Sequence, residues 1–202
     1  LHDACNLKCK YCFSRAQGRG KTMSLDTFRQ GLWFLTRLWG RGAQEHYVGF
    51  CASVEPLYDP PLLYAAVEEC RRVAAEGYPL IYGLNFNGTL WSQEAAQRLA
   101  DAHYLGLSID GPPEIHDQVR TFPDGSPSWD TIWERVADEV RSGRISEANI
   151  TLTHDSLDPV RAARSLVDLG FREVALKTVR VPRDHPSAVR MEDVPVMREG
   201  YH

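Results

Sequence analysis

The feature that most constrains this fold is a regular alternation of short apolar segments with longer amphipathic ones along most of the 202 residues. The apolar segments have the length of buried strands, and each is followed by a segment whose apolar residues recur every three or four positions. This alternation is typical of parallel βα units. It predicts strands at 46–51, 79–86, 104–109, 148–154 and 173–179.

Each segment predicted to be helical has recognisable end signals. Ser24 is placed to cap a helix over residues 24–39, because a serine oxygen accepts a hydrogen bond from a free amide of the first turn. Pro60 opens the next helix and Gly77 marks its end. The remaining helices are predicted near 92–102 with Ser92 as its cap, near 129–142 with Ser128 as its cap, and from Asp158 and Pro159 to about Leu169.

The spacing of the strands predicts how the sheet is connected. Successive strand starts lie about 25 to 44 residues apart, which leaves room for right-handed crossover helices. We therefore predict an α/β fold with parallel strands in a barrel or part-barrel. Functional side chains of such folds lie after the carboxyl ends of the strands, in this chain at residues 52–56, 85–89, 108–120 and 153–156.

Charge and composition narrow the class of protein. The formal net charge is −4 and the basic residues are scattered, so the chain offers no basic surface for nucleic acid. No apolar run approaches the roughly 20 residues of a membrane helix, and no segment resembles a signal peptide. A cytoplasmic protein is expected. The five cysteines are an odd number, and close spacing of three of them favours metal binding over disulfides.

The segment CNLKCKYCF brings together Cys5, Cys9 and Cys12. Four cysteines would complete an iron–sulfur or zinc centre, whereas three leave one metal position open. An open position is where a ligand can react. Zinc is the alternative, and it would need a fourth ligand such as His2 or His116. The residues alone do not decide between an iron–sulfur centre and zinc.

The cysteine segment resembles the cluster-binding loop of the radical S-adenosylmethionine (radical SAM) enzymes. Three downstream segments are similar to those of anaerobic sulfatase-maturating enzymes and SPASM-type peptide maturases, and they follow in the same order. They are EPLYDPPLL (55–63), NFNGTL (85–90) and LSIDGPPEIHDQVR (107–120). Together these matches extend over most of the chain.

The resemblance implies a partial TIM-like (β/α)6 barrel whose first strand is truncated. Residues 1–181 would form the radical SAM core, and 182–202 would be a linker toward a missing C-terminal region. A [4Fe–4S] cluster would be held by Cys5, Cys9 and Cys12. S-adenosylmethionine would bind the fourth iron and be cleaved reductively to a 5′-deoxyadenosyl radical.

The resemblance also implies contacts to the cofactor from Glu55, Asn87, Ser108 and Arg120. Three of these residues have a plain structural alternative. Glu55 would be a surface acid opening a loop, and Asn87 would be a turn residue. Arg120 would join His116 and Asp117 in a local salt-bridged network, or alternatively meet a carboxylate. The nearby Asp110 would either face the mouth of the barrel from the end of its strand or serve a tight turn.

One segment departs from the family pattern. The family has Gly-Gly-Glu-Pro after its second strand, whereas this chain has Ser53 and Val54 before Glu55. Valine does not tolerate the backbone conformations that glycine permits. The cofactor is therefore expected to sit differently, or the backbone to stay extended.

The implied activity is oxidative modification or cross-linking of a side chain in a peptide or protein. A sulfatase-type cysteine or serine oxidase and a maturase of small ribosomal peptides are both compatible with the matching segments. The implied partners are that substrate and an electron donor such as ferredoxin or flavodoxin. The alternatives are a non-catalytic zinc- or cluster-binding module and a radical SAM pseudo-enzyme.

Overall fold

Five parallel strands form one sheet, in the order in which they occur along the chain. The computed structural model describes residues 1–14, 21–40, 45–51 and 54–199. All five predicted strands are present, which confirms the predicted α/β class and the parallel, barrel-like architecture. Their bounds are β1 His46–Phe50, β2 Leu80–Phe86, β3 Tyr104–Ser108, β4 Glu147–Leu152 and β5 Glu173–Thr178.

Helices connect successive strands and cover the outer face of the sheet. In the part of the chain that the structure describes, six of them lie before or between the strands and one follows the last strand. A short segment, Pro113–Val119, is a helix of its own that the sequence pattern did not predict. The bounds are α1 Leu25–Trp39, α2 Pro60–Ala75, α3 Gln93–Arg98, α4 Pro113–Val119, α5 Trp129–Arg141, α6 Pro159–Asp168 and α7 Val194–Glu199.

Two of the three predicted serine caps are confirmed. The Oγ atoms of Ser24 and Ser92 each accept a hydrogen bond, at 3.1 Å, from the amide three residues later. The prediction for Ser128 was wrong, because its side chain makes no cap hydrogen bond. Asp117 Oδ1 instead accepts from the amides of Ser128 and Trp129, at 2.9 and 3.0 Å, so α4 supplies the acceptor for the start of α5.

The two faces of the sheet differ in chemistry. Leu84, Leu107 and Ile150 are fully buried on the helix-covered face, as hydrophobic burial requires. The concave face carries polar side chains instead. Tyr104 donates to Glu147 Oε1 at 2.6 Å, and its hydroxyl lies 3.1 Å from Asn85 Oδ1. The polar side chains of the concave face are suited to binding a polar ligand, whereas the opposite face forms the apolar core.

The segment after β5 packs onto the loop that follows β4. The amide of His154 donates to Ser187 O at 3.1 Å, and His154 Nδ1 lies 3.0 Å from both carboxylate oxygens of Asp193. Ser187 and Asp193 are buried by this contact. Within the part of the chain that the structure describes, no helix combines the length and the apolar character needed to cross a membrane.

Candidate functional site

A cavity of about 550 Å³ opens at the carboxyl ends of the strands. The cysteine loop bounds one side, with Cys5, Cys9 and Cys12 all facing the cavity. Ser108 at the end of β3 and Thr151 on β4 contribute to the opposite wall. The cavity lies where parallel strands and the predicted loops place functional groups.

The cysteine loop is held in place by main-chain hydrogen bonds to the region after α4. The amides of Lys8 and Lys10 donate to Thr121 O and Val119 O, both at 2.8 Å. Leu7, which precedes Lys8 in this loop, is buried. The loop is therefore fixed against the body of the protein, and the positions of its three thiols are set before any ligand binds.

Two polar side chains direct hydrogen-bond donors toward the cysteine sulfurs. Asn87 Nδ2 lies 3.9 Å from Cys5 Sγ, and Arg120 Nη1 lies 4.0 Å from Cys9 Sγ. Burial raises the pKa of Cys9 to about 11, although the Arg120 charge opposes this. Metal ligation requires thiolates, and amide and guanidinium donors facing the sulfurs suit thiolates. The residues present therefore fit a metal centre bound through sulfur.

The zinc alternative can be compared with the side chains that the structure describes. The described residues include no group of three His, Cys, Asp or Glu side chains that would hold one ion. His116, a predicted fourth zinc ligand, has both ring nitrogens engaged, with the amide of Asp110 and with Ser128 Oγ. Three thiols around one cavity better match the corners of a multinuclear cluster, in which each thiolate binds a separate iron.

Asp110 is the centre of a buried network beside the cysteine loop. Its Oδ2 accepts from Arg120 Nε at 2.7 Å and from the Tyr11 hydroxyl at 2.6 Å, and its Oδ1 accepts from the amide of Thr151 at 2.7 Å. The interpretation of Asp110 as a simple turn residue was therefore wrong. Arg120 is in a salt bridge, but its partner is Asp110 and not the predicted Asp117, and the same guanidinium also reaches Cys9.

His116 is hydrogen-bonded to the backbone of Asp110 and to Ser128, next to this network. Its Nδ1 accepts from the amide of Asp110 at 3.2 Å, so its Nε2 carries the proton and donates to Ser128 Oγ at 3.0 Å. Ser128 in turn donates to Arg120 O at 2.8 Å. Burial lowers the pKa of His116 to about 3, which keeps the ring neutral at physiological pH.

Glu55 is buried, so its interpretation as a surface acid was wrong. Its two carboxylate oxygens accept from the amides of Leu57 at 3.1 Å and Asn87 at 2.6 Å. Burial raises its pKa to about 7, and these two amide donors work against that rise. Glu55 lies behind the cavity wall in this arrangement, and its contact with a cofactor stays a prediction.

Asn87 forms part of the cavity wall, next to Cys5. Its Oδ1 accepts from the amide and the hydroxyl of Thr89, and its Nδ2 donates to Asn6 Oδ1 at 2.9 Å. Gly88 follows with a φ of 83°, and a Cβ there would lie 2.7 Å from Leu107. A glycine is therefore required, and Asn87 is both a turn residue and a wall residue.

Val54 also lines the cavity, whereas Ser53 lies outside the described residues. Ser108 is half-buried and faces the cavity, as predicted from its place at the end of a strand. Of the two remaining cysteines, Cys70 is buried in α2, whereas Cys51 is exposed.

Several cavity residues were missed by sequence reasoning. Tyr11 donates to Asp110, and the Arg120 guanidinium lies 5.3 Å above its ring. Lys177, which is exposed, lines the cavity and donates to Asn149 Oδ1. The aromatic residue before the third cysteine was the available signal for Tyr11. Asn149 carries no comparable signal, because its role depends on strand register.

The chain is similar in sequence to a curated protein and in fold to several solved structures. The chain is 25% identical over 138 residues to a serine-type anaerobic sulfatase-maturating enzyme of Bacteroides thetaiotaomicron, which covers 65% of this chain. The chain spans 33% of the length of that relative.

Solved structures share the fold. The structure of native anSMEcpe with bound AdoMet superposes with a TM-score of 0.80 at 19% identity, over 98% of this chain and 57% of that one. Streptococcus suis SuiB superposes with a TM-score of 0.64 at 14% identity, over 97% and 43% of the two chains. The profile of the Radical SAM superfamily matches residues 1–167. With most of its length covered by that profile, the chain belongs to the Radical SAM superfamily.

Proposed function

We propose that this chain is the core of a radical SAM enzyme that cleaves S-adenosylmethionine reductively and modifies a side chain of a peptide or protein oxidatively. The observation that carries the proposal is the set of three thiols on one fixed loop, facing a single cavity. Cys5, Cys9 and Cys12 would hold a [4Fe–4S] cluster. Cluster and S-adenosylmethionine together supply a 5′-deoxyadenosyl radical when both are bound.

The remaining site residues divide into those that touch the cofactor and those that position others. Ser108 and Asn87 present polar groups to the cavity and would contact S-adenosylmethionine. Arg120 lines the same cavity and is held by Asp110, so its charge can serve the cofactor and the Cys9 thiolate together. Glu55 would act mainly by fixing the Asn87 backbone.

The cavity walls also limit the access of water. Leu7, Phe86 and Leu176 contribute apolar surface beside the polar groups. A site that excludes water protects a reactive radical from side reactions and strengthens the local electrostatic interactions. The chain's contribution to the chemistry is therefore orientation and exclusion of solvent.

A peptide or protein substrate is proposed by analogy with the relatives. One solved relative is described as anSMEcpe with bound AdoMet and Cp18Cys peptide. Exposed Lys177 and Thr178 stand at the cavity wall, so an extended segment can approach from the β5 side. The five free cysteines suit a reducing, cytoplasmic environment. The electron for the cluster would come from a low-potential donor such as ferredoxin or flavodoxin.

The division of the chain is also part of the proposal. Residues 1–181 would be the radical SAM core, because the sheet and all the cavity residues lie within them. Residues 182–202 would connect the core to a further region. Deletion of 182–202 would then leave cofactor binding at the cysteine loop intact.

Anaerobic reconstitution with iron and sulfide tests the cluster proposal. We expect about four iron and four sulfide ions per chain, with the broad absorbance of an iron–sulfur cluster at the visible–ultraviolet boundary. A matched reconstitution with zinc should leave less than one tightly bound ion per chain. One tight zinc and no cluster absorbance would instead establish the structural-module alternative.

A further inference from the structure

The cysteine loop separates two hollows. Cys9 and Cys12 line the main cavity on one side and a second hollow of about 640 Å³ on the other. The far wall of the second hollow is the segment 121–125. Two of the three proposed cluster ligands are thus reachable from a surface that the substrate cavity does not use.

The second hollow carries positive charge on a protein that is negative overall. Lys8 and Lys10 flank Cys9, are exposed and line this hollow, whereas the net charge of the chain is −4. The chain contains only four lysines. Among the described residues, no lysine lies in an ion pair with a carboxylate, since every such pair uses arginine or histidine.

The other titratable groups of this hollow leave that charge largely unopposed. Among the described residues that line it, Asp124 is the one acidic residue, and its Oδ1 already accepts from the amide and the hydroxyl of Ser126. His185 is the other titratable group of this described lining, apart from the lysines and cysteines. The two lysines therefore outnumber the single carboxylate.

The wall opposite the lysines, residues 121–125, is a turn held by main-chain hydrogen bonds. Thr121 and Pro127 form an antiparallel bridge, and Phe122 N donates to Ser126 O at 3.0 Å. The turn is closed by Gly125, whose φ of 86° is a conformation that glycine adopts without strain. Because this turn and the cysteine loop are joined by main-chain hydrogen bonds, the hollow is formed before a partner arrives.

We propose that this second hollow is the docking surface for an acidic electron-transfer protein that reduces the cluster. The inference rests on the proposed function. One electron would leave the flavin or iron–sulfur centre of the carrier, which is oxidised by one electron, and enter the cluster, which is reduced by one. No bond forms or breaks. Lys8 and Lys10 attract an acidic carrier to this hollow. The net negative charge of the chain repels the carrier from other surfaces, so the encounter is steered toward the two lysines.

Charge reversal at the two lysines tests the surface. The variant Lys8→Glu/Lys10→Glu keeps the main-chain hydrogen bonds, and Lys21→Glu/Arg37→Glu makes the same change in net charge at exposed residues outside the hollow. The dissociation constant for oxidised flavodoxin is measured at low and at high salt. We expect the first variant to bind at least about tenfold more weakly at low salt, with the difference shrinking at high salt, and the control to bind like the wild type.

Cluster reduction provides the second readout. In the reconstituted protein, reduced flavodoxin should reduce the cluster more slowly in Lys8→Glu/Lys10→Glu at low salt. Dithionite, a small anionic reductant, should reduce both proteins at equal rates at high salt, where the charge difference is screened. Equal flavodoxin affinity in all three proteins, or an equal loss in the control, would overturn the docking surface. If the lysine variant alone loses binding but dithionite yields no cleavage of S-adenosylmethionine, the surface stands and the proposed function fails.

Discussion

Arg120 Nε lies 2.7 Å from Asp110 Oδ2, and both side chains are almost completely withdrawn from solvent. Asp110 ends the β3 region and Arg120 ends α4, so this ion pair closes the connection between them. The same carboxylate binds Tyr11 of the cysteine loop and the amide of Thr151 on β4. One buried acid therefore joins the loop that carries the thiols to two strands of the sheet.

Replacing Asp110 by asparagine should destabilise the protein strongly. The change leaves the Arg120 charge buried without a counter-charge, which costs about 3–5 kcal/mol in comparable buried pairs. Urea unfolding monitored by circular dichroism measures the free energy of unfolding. Asp138→Asn is the control, because its ion pair with Arg141 is exposed and worth less than about 1 kcal/mol. Equal losses in the two variants would contradict the central role of Asp110.

Buried His116 should make the protein sensitive to acid. Its pKa is about 3 in the fold and about 6.5 in an unfolded chain, so between these values the unfolded chain binds a proton that the folded chain does not. The stability contributed by neutral His116 is complete above pH 6.5 and is lost as pH falls, at up to about 1.4 kcal/mol per pH unit. Stability therefore rises with pH in this window.

The variant His116→Gln isolates this effect. Glutamine does not titrate, so the stability difference between wild type and variant should shrink as the pH falls from 7.5 to 5.5. Urea unfolding at the two pH values measures that difference. Glu55 and other titrating groups are present in both proteins, and their contributions cancel. A difference that is independent of pH would show that folding does not change the pKa of His116, which would contradict its burial as a neutral ring.

Glu55→Gln tests the proposal that Glu55 positions the Asn87 backbone. The glutamine amide turns one acceptor into a donor that faces a backbone amide, so one of the Leu57 and Asn87 amides loses its partner. The expected cost is about 1–3 kcal/mol of stability. Affinity for S-adenosylmethionine, measured by calorimetry on the reconstituted protein, should also fall. Exposed Glu134→Gln is the matched control and should change stability by less than about 0.5 kcal/mol.

Much of the fold could be predicted because its signals are local. Apolar runs mark all five strands, and Ser24 and Ser92 cap their helices as expected. The thiols also lie within one short segment, so their convergence on one cavity follows from close spacing. Where a residue's neighbours in space are also its neighbours in sequence, pattern and structure agree.

The errors fall where the partners are distant along the chain. Asp110 precedes a glycine and looks like a turn residue, yet it binds Tyr11, 99 residues earlier, and Thr151, 41 residues later. Ser128 looks like a cap, but Asp117, 11 residues before it, takes that place. These contacts depend on the register of strands and the angle of α4. Neither is visible in local periodicity.

The release of 5′-deoxyadenosine tests the central claim most directly. Reconstituted protein is mixed anaerobically with S-adenosylmethionine and dithionite, and the product is quantified by chromatography. The wild type and the control Cys51→Ala, whose cysteine is exposed and lies outside the main cavity, should both release 5′-deoxyadenosine. Cys9→Ala should release none. No release from wild type that carries a full cluster, or release from Cys9→Ala equal to that of the wild type, would contradict the proposed function.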